Sequence, residues 1–255
     1  MMSFQGQVAI ITGAGSGIGL SVALDLYKLG AIIIAVDLDE EKLARMLPED
    51  KNMILVQGDI TLREDREKIL KAAITKGGPD LLINTAGIIR MENIFEVTES
   101  NWDLVMDVNA KACFFMCQSV GDYWIKNNKK GVIVNFSSAA GKTARTLDIA
   151  PYNASKASVI AITKSFAYSL ASYGCRVNCV CPGIIETPMQ QALIQGISNK
   201  QISPEETAKE RLKRVPLGRE GTSEEVSQVV LFLLSESSSY MTGQAINITG
   251  GMVMY

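Results

Sequence analysis

The chain has 255 residues, 47% hydrophobic and 20% charged, which is the make-up of a globular unit with a sizeable core and excludes a disordered or fibrous chain. Its 27 acidic and 25 basic residues leave a net charge of −2, so no global field recruits nucleic acid or an anionic membrane surface. No histidine is present, which excludes Ser-His-Asp hydrolysis and His-ligated metal chemistry, and any proton carrier must be Tyr, Lys, Cys or a carboxylate.

From the N-terminus, Met1 to Gly6 carries no basic patch leading into a long apolar stretch, and no later segment approaches the ~20 apolar residues that span a bilayer. The expectation is a protein that is neither exported nor membrane-embedded. Short apolar runs at Val8–Thr12, Ala31–Val36, Met53–Gln57, Asp80–Asn84, Val132–Phe136, Arg176–Val180 and Ala245–Ile248 predict strands, with amphipathic helical segments between them. Parallel strands need crossover connections, so this alternation predicts an α/β fold whose parallel sheet is covered by helices on both faces.

Five cysteines, Cys113, Cys117, Cys175, Cys179 and Cys181, lie in apolar runs without paired metal-ligand spacing. They predict reduced, buried thiols, a cytoplasmic location and no metal site. From Tyr152 to Ala171 only Lys156 and Lys164 are charged, so this helix needs cover on more than one side. The segment 186–220 breaks the strand-helix rhythm, with a helix predicted from Pro204 to Arg214. It is expected to be a mobile substrate lid with Gly196 and Gly218 as hinges and Met189, Leu193 and Ile197 on its inner face. Thr222 and Glu225 then form a capping box that opens the last helix.

Between the first strand and the first helix stands Thr12-Gly13-Ala14-Gly15-Ser16-Gly17-Ile18-Gly19. Its glycines admit close backbone approach, and the following helix aims its free amides at whatever the loop holds, an arrangement suited to a diphosphate. The usual G-x-G-x-x-G spacing is absent, and T-G-x-x-x-G-x-G stands in its place. Tyr152-Asn-Ala-Ser-Lys156 sets a phenol and an amine one helical turn apart, which makes Tyr152 the candidate proton carrier and Lys156 the cation that tunes it.

With these motifs, Asn84-Thr-Ala-Gly87, Asn109 and Pro182-Gly183, the chain resembles the short-chain dehydrogenase/reductase family from Gln7 to Gly251. The resemblance implies a single-domain, Rossmann-like doubly wound sheet of seven parallel strands that binds a nicotinamide dinucleotide. It implies Asn109, Ser138, Tyr152 and Lys156 as catalytic residues. For the cofactor it implies Gly13, Ser16, Gly17, Ile18, Gly19, Asp37, Asp59, Ile60, Asn84, Ala86 and Gly87, joined by Tyr152, Lys156, Pro182, Gly183, Ile185 and Thr187. Asp37 follows Gly19 by 18 residues, where a carboxylate suits ribose hydroxyls and repels a 2′-phosphate. Ser16 and Leu38 add no positive charge, so NAD is the expected cofactor. The loop after Ser138, with Arg145 and Asp148, is expected to shape the substrate pocket. The family commonly assembles through helices like the one from Tyr152, so a dimer or tetramer is expected. The expected substrate is a small polyol or sugar, with a 3-oxoacyl thioester as the alternative and a non-catalytic dinucleotide sensor as an alternative of another class.

Overall fold

The computed structural model describes residues 2–143, 148–198 and 203–255. The apolar runs become β1 (Val8–Thr12), β2 (Ile32–Asp37), β3 (Met53–Gln57), β4 (Leu81–Asn84), β5 (Val132–Phe136), β6 (Arg176–Pro182) and β7 (Ala245–Ile248). They form a 7-stranded sheet in the order β3-β2-β1-β4-β5-β6-β7, and neighbouring strands pair in parallel. The connecting helices are α1 (Gly17–Lys28), α2 (Glu40–Met46), α3 (Arg63–Ile74), α4 (Glu99–Met106), α5 (Ala112–Lys126), α6 (Ala150–Leu170), α7 (Pro188–Ser198), α8 (Pro204–Leu212) and α9 (Ser223–Leu234).

Burial on both faces explains why the strands read as continuous apolar runs. All five residues of β1 are buried. Ala9 and Ile11 belong to one apolar layer with Val22 and Leu26 of α1 and Val226 and Val230 of α9. Val8 and Ile10 belong to the opposite layer with Ile69 of α3, Met116 and Trp124 of α5 and Val159 of α6. Each fully buried side chain of this size contributes roughly 1.5–3 kcal/mol.

Strand boundaries shift where backbone groups find other partners. Ala31 donates its amide to Leu26 O to close α1, so β2 starts one residue later and runs on to Asp37, opposite Gln57. The sheet reverses its direction of growth at β1, which pairs with β2 on one side and β4 on the other. Doubly wound sheets bind ligands in the crevice that this reversal opens at the strands' C-terminal ends.

The segment 186–220 is mostly helical. Ser203 and Glu206 form a capping box at the start of α8, which ends at Leu212 rather than at the expected Arg214. Gly196 lies inside α7 near Met91, not at a hinge end, whereas Gly218 has φ +71 and open space around it. Thr222 and Glu225 cap α9 as expected. Among the described residues no helix is long and apolar enough to cross a membrane.

Candidate active site

The loop after β1 tolerates nothing but glycine at two points. A Cβ on Gly13, whose φ is +72, would sit 2.9 Å from Ala86 Cα, and one on Gly19 would sit 2.2 Å from Gly13 O. These contacts hold α1 close against the ends of β1 and β4. Ser16 precedes the helix without spending its hydroxyl on a cap, and the first helical amides have no partner within the helix. The loop therefore presents free donors and the positive end of a helix dipole to the crevice.

Asp37 closes β2 beside this loop. Its Oδ2 accepts the Gly15 amide at 3.0 Å and its Oδ1 accepts the Asp39 amide at 3.3 Å. Lys42, in the first turn of α2, brings its Cδ within 3.3 Å of where a Gly15 Cβ would stand, a nearby cation that the linear sequence did not reveal. Further along the strand ends, Asp59 Oδ1 accepts both the amide and hydroxyl of Thr61, and Ile60 is buried, with its carbonyl held by Arg66. Asn84 turns its side chain into the interior, where its Nδ2 donates to Asn135 Oδ1 at 2.9 Å and its own Oδ1 has no partner. Ala86 N donates to Thr12 Oγ1. Thr85 hydrogen-bonds Thr12 O and crowds the same Gly19 contact, a brace that appears only once β1 and β4 are side by side. A cradle that a Cβ would fill, a helix N-terminus and an acceptor at Asp37 fit a dinucleotide.

At the end of β5, two consecutive serines divide the work. Ser137 is buried and donates to Lys156 O at 2.7 Å, which ties β5 to α6. Ser138 accepts the Ala140 amide at 3.1 Å and hydrogen-bonds the Tyr152 side chain. Pro151 sits in the first turn of α6 and sets Tyr152 and Lys156 on one helix face. Burial raises the Tyr152 phenol above its ordinary value, and the Ser138 bond opposes that rise. Lys156 Nζ lies 5.6 Å from the centre of the Tyr152 ring and donates to Phe136 O at 2.9 Å. Burial lowers its ammonium to about 8, against the stabilising pull of Cys113, Cys179 and Cys181.

Asn109 reaches this corner from a π-helical stretch, Asp107–Lys111, between α4 and α5. Such one-turn bulges often mark functional positions. Its Nδ2 donates to Ile88 O and Ser155 Oγ, and its Oδ1 accepts the Ile88 amide at 2.8 Å. A Cβ on Gly87 would stand 3.1 Å from Asn109 Oδ1 and 3.2 Å from Lys156 Nζ, so glycine lets the two groups approach.

One cavity of about 780 Å³ joins these parts. Gly13, Ser16, Gly17, Ile18, Gly19, Gly87, Ser138, Tyr152, Lys156, Pro182, Gly183, Ile185 and Thr187 line it. Met189, Leu193 and Ile197 of α7 also line it. Asp37, Asp59, Ile60, Asn84, Ala86 and Asn109 do not form its wall. Asp148 does line it, whereas Arg145 lies outside the described residues. Residues that pattern reading missed are Ile89, Met91, Ile149, Gln190, Thr207 and Arg211.

A family model described as enoyl-(acyl carrier protein) reductase matches residues 13–253. The 3-oxoacyl-(acyl-carrier-protein) reductase FabG of Thermotoga maritima is 40% identical over 99% of this chain and 100% of its own length. The chain belongs to the short-chain dehydrogenase/reductase family. It is an oxidoreductase acting on CH-OH groups. An uncharacterized oxidoreductase of the same organism is 38% identical over 98% of both chains. The (3R)-3-hydroxyacyl-CoA dehydrogenase of Homo sapiens is 34% identical over 97% of this chain and 95% of its own length.

Proposed function

We propose that this short-chain dehydrogenase/reductase interconverts 3-hydroxyacyl and 3-oxoacyl thioesters, with NAD(H) preferred over NADP(H). The observation that carries this reading is the apolar stretch of the cavity wall, Ile89, Met91, Ile149, Met189, Leu193 and Ile197, beside Ser138 and Tyr152. An acyl chain buries favourably against these side chains. Two relatives named for acyl-thioester chemistry favour the same reading over the polyol expectation. The preference for NAD rests on Asp37 beside Gly15, although Lys42 nearby reduces the electrostatic penalty for a 2′-phosphate.

A nicotinamide dinucleotide held by the glycine loop and Asp37 would supply hydride to the carbonyl carbon in reduction or accept it from the carbinol carbon in oxidation. Ser138 hydrogen-bonds the substrate oxygen, and Tyr152 gives that oxygen its proton during reduction or removes it during oxidation. Two donors on one oxygen stabilise the negative charge that develops on it. As an acid the phenol works at its raised pKa, because it is fully protonated at neutral pH. As a base it has to come down from that raised value, which takes preferential stabilisation of the phenolate by a neighbouring positive charge. The Lys156 cation provides part of this, since an ammonium lowered to about 8 is still mostly protonated at pH 7. In this reading Asn109, which approaches Lys156 across Gly87, stands where the family resemblance implies a water linking Lys156 to solvent.

Outside the pocket, α6 exposes Ala157, Ala161, Ser165 and Tyr168, the last 90% exposed. A second copy of the chain is the natural cover, and we include a homo-oligomer in the reading. Five buried free thiols support a reducing compartment, the cytoplasm.

The test is a substrate panel of acetoacetyl and longer 3-oxoacyl thioesters, enoyl thioesters and polyols, each with NAD(H) and NADP(H). Turnover of 3-oxoacyl thioesters is expected. A polyol as the fastest substrate would return the reading to polyol oxidation, and no turnover throughout would favour the dinucleotide sensor.

A further inference from the structure

Among the described residues, a few buried side-chain polar atoms lack a hydrogen-bond partner. Three of these share one wall of the cavity: Gln190 Nε2, Thr207 Oγ1 and Arg211 Nη1. The others are amide oxygens of Gln7, Asn84, Asn153 and Asn247. Orphaned buried donors are costly, and native structures usually satisfy them with a ligand, an ion or water.

The three are joined in one construction. Gln190 stands on α7 and is 9% exposed; Thr207 stands one turn before Arg211 on α8 and is 5% exposed. Arg211 Nη2 donates to Gln190 Oε1 at 3.3 Å. A guanidinium only donates, so this bond fixes the amide with its oxygen toward Arg211 and leaves Nε2 as a second unspent donor. Burial lowers the Arg211 pKa from its ordinary value, and Glu220 supports the cation electrostatically. The group nevertheless stays charged at physiological pH. Two NH donors and a hydroxyl beside a buried positive charge match an oxyanion, and no neutral ketone or apolar chain end satisfies them.

We propose that Gln190, Thr207 and Arg211 form an oxyanion-binding subsite that receives a carboxylate or phosphate carried by the substrate. The subsite rests on the reading of this cavity as the substrate pocket, not on the substrate being a thioester. Within that reading it makes Arg211 a specificity-determining residue. It also joins α7 to α8 through the ligand, so substrates with the anionic group are selected over neutral ones.

The test is calorimetric and needs no turnover, so failure of the thioester reading leaves it intact. The protein is saturated with NAD, which fills the dinucleotide site, and is titrated with acetoacetate, inorganic phosphate or 2-butanone. Ketone and oxidised cofactor cannot react, so binding alone is read. At least one anion is expected to bind, and to bind at least tenfold more weakly to Arg211→Met and to Thr207→Val. NAD affinity within twofold of the parent protein checks that each variant is folded, and Thr207→Val decides if the arginine variant is not. A response to acetoacetate but not phosphate assigns a carboxylate, and a response to phosphate assigns a phosphate-bearing carrier arm. The proposal is overturned if neither anion binds better than 2-butanone. It is also overturned if folded variants bind both anions as the parent does, or lose NAD affinity in step with the anion, which would give these residues to the cofactor.

Discussion

The Asp37 carboxylate accepts a 3.0 Å hydrogen bond from the Gly15 amide, which makes one side chain both a brace for the glycine loop and the charge at the expected adenosine end of the crevice. Removing it therefore has two effects. Asp37→Ala should weaken NADH binding because both a ribose acceptor and the loop brace are lost. It should weaken NADPH binding less, because repulsion of a 2′-phosphate disappears while Lys42 stays. The ratio of NADPH to NADH dissociation constants is expected to move at least tenfold toward NADPH, measured by fluorescence titration. An unchanged ratio would remove Asp37 as the selecting residue.

Tyr152→Phe separates chemistry from architecture. The ring retains its place on α6 and loses only the hydroxyl that bonds Ser138. A positioned proton donor is worth ~100- to 10,000-fold, so turnover of a 3-oxoacyl thioester should fall by that order while NADH affinity stays within about twofold. Stopped-flow hydride transfer and equilibrium binding supply the two numbers. Near-normal turnover would require another proton carrier.

Much of this site is legible in the sequence because its parts are local. Thr12 to Gly19 and Tyr152 to Lys156 each fall within one turn or one loop, where spacing dictates geometry. β1, β3, β5 and β7 fall at the predicted boundaries, since parallel strands buried on two faces leave unbroken apolar runs. The Gln190, Thr207 and Arg211 cluster leaves no such mark: two helices have to meet before its donors share a wall. The π-helical stretch that presents Asn109 is equally silent, because one extra residue in a helical turn has no compositional signature. The substrate leaves no comparable mark either, because side chains far apart in the sequence, among them Met91, Ile149 and Leu193, come together in one wall only in the fold.

Burial of Lys156 makes a prediction about stability against pH. Its ammonium titrates at about 8 in the fold, against 10.5 as the ordinary value. Between these values the unfolded chain binds more protons, so stability rises with pH across that window and is lost as pH falls through 8. The full shift is worth about 3 kcal/mol. Tyr152 is shifted upward, so its contribution stays constant until pH approaches 10 and then declines. From pH 7.5 to 9.5 the parent protein should gain stability relative to Lys156→Met, read as the change in urea midpoints with both proteins free of cofactor. Equal changes in the two would mean that water reaches Lys156 and restores its ordinary titration.

The segment 186–220 is proposed to act as a lid, and its attachments suggest how. Its base is pinned on both sides: Glu186 N donates to Gly221 O at 2.9 Å and Gly221 N donates to Ile184 O at 3.0 Å. The turn after α8 is tied down as well, with Leu217 N donating to Gly250 O at 3.1 Å and Gly218 N to Val215 O at 2.8 Å, so α7 and α8 are the parts that would move. The inner face of α7 lines the cavity through Met189, Leu193 and Ile197, and the orphaned donors of Gln190, Thr207 and Arg211 leave the α7–α8 contact under-satisfied without ligand. Closure over cofactor and substrate would exclude water from the Tyr152 corner. Amide exchange in α7 and α8 should consequently slow at least fivefold when NAD and acetoacetate are added together, while the Ile184–Glu186 and Gly221 amides change little. Helices already protected without ligand, and unchanged when both are bound, would make this segment a fixed wall of the pocket instead.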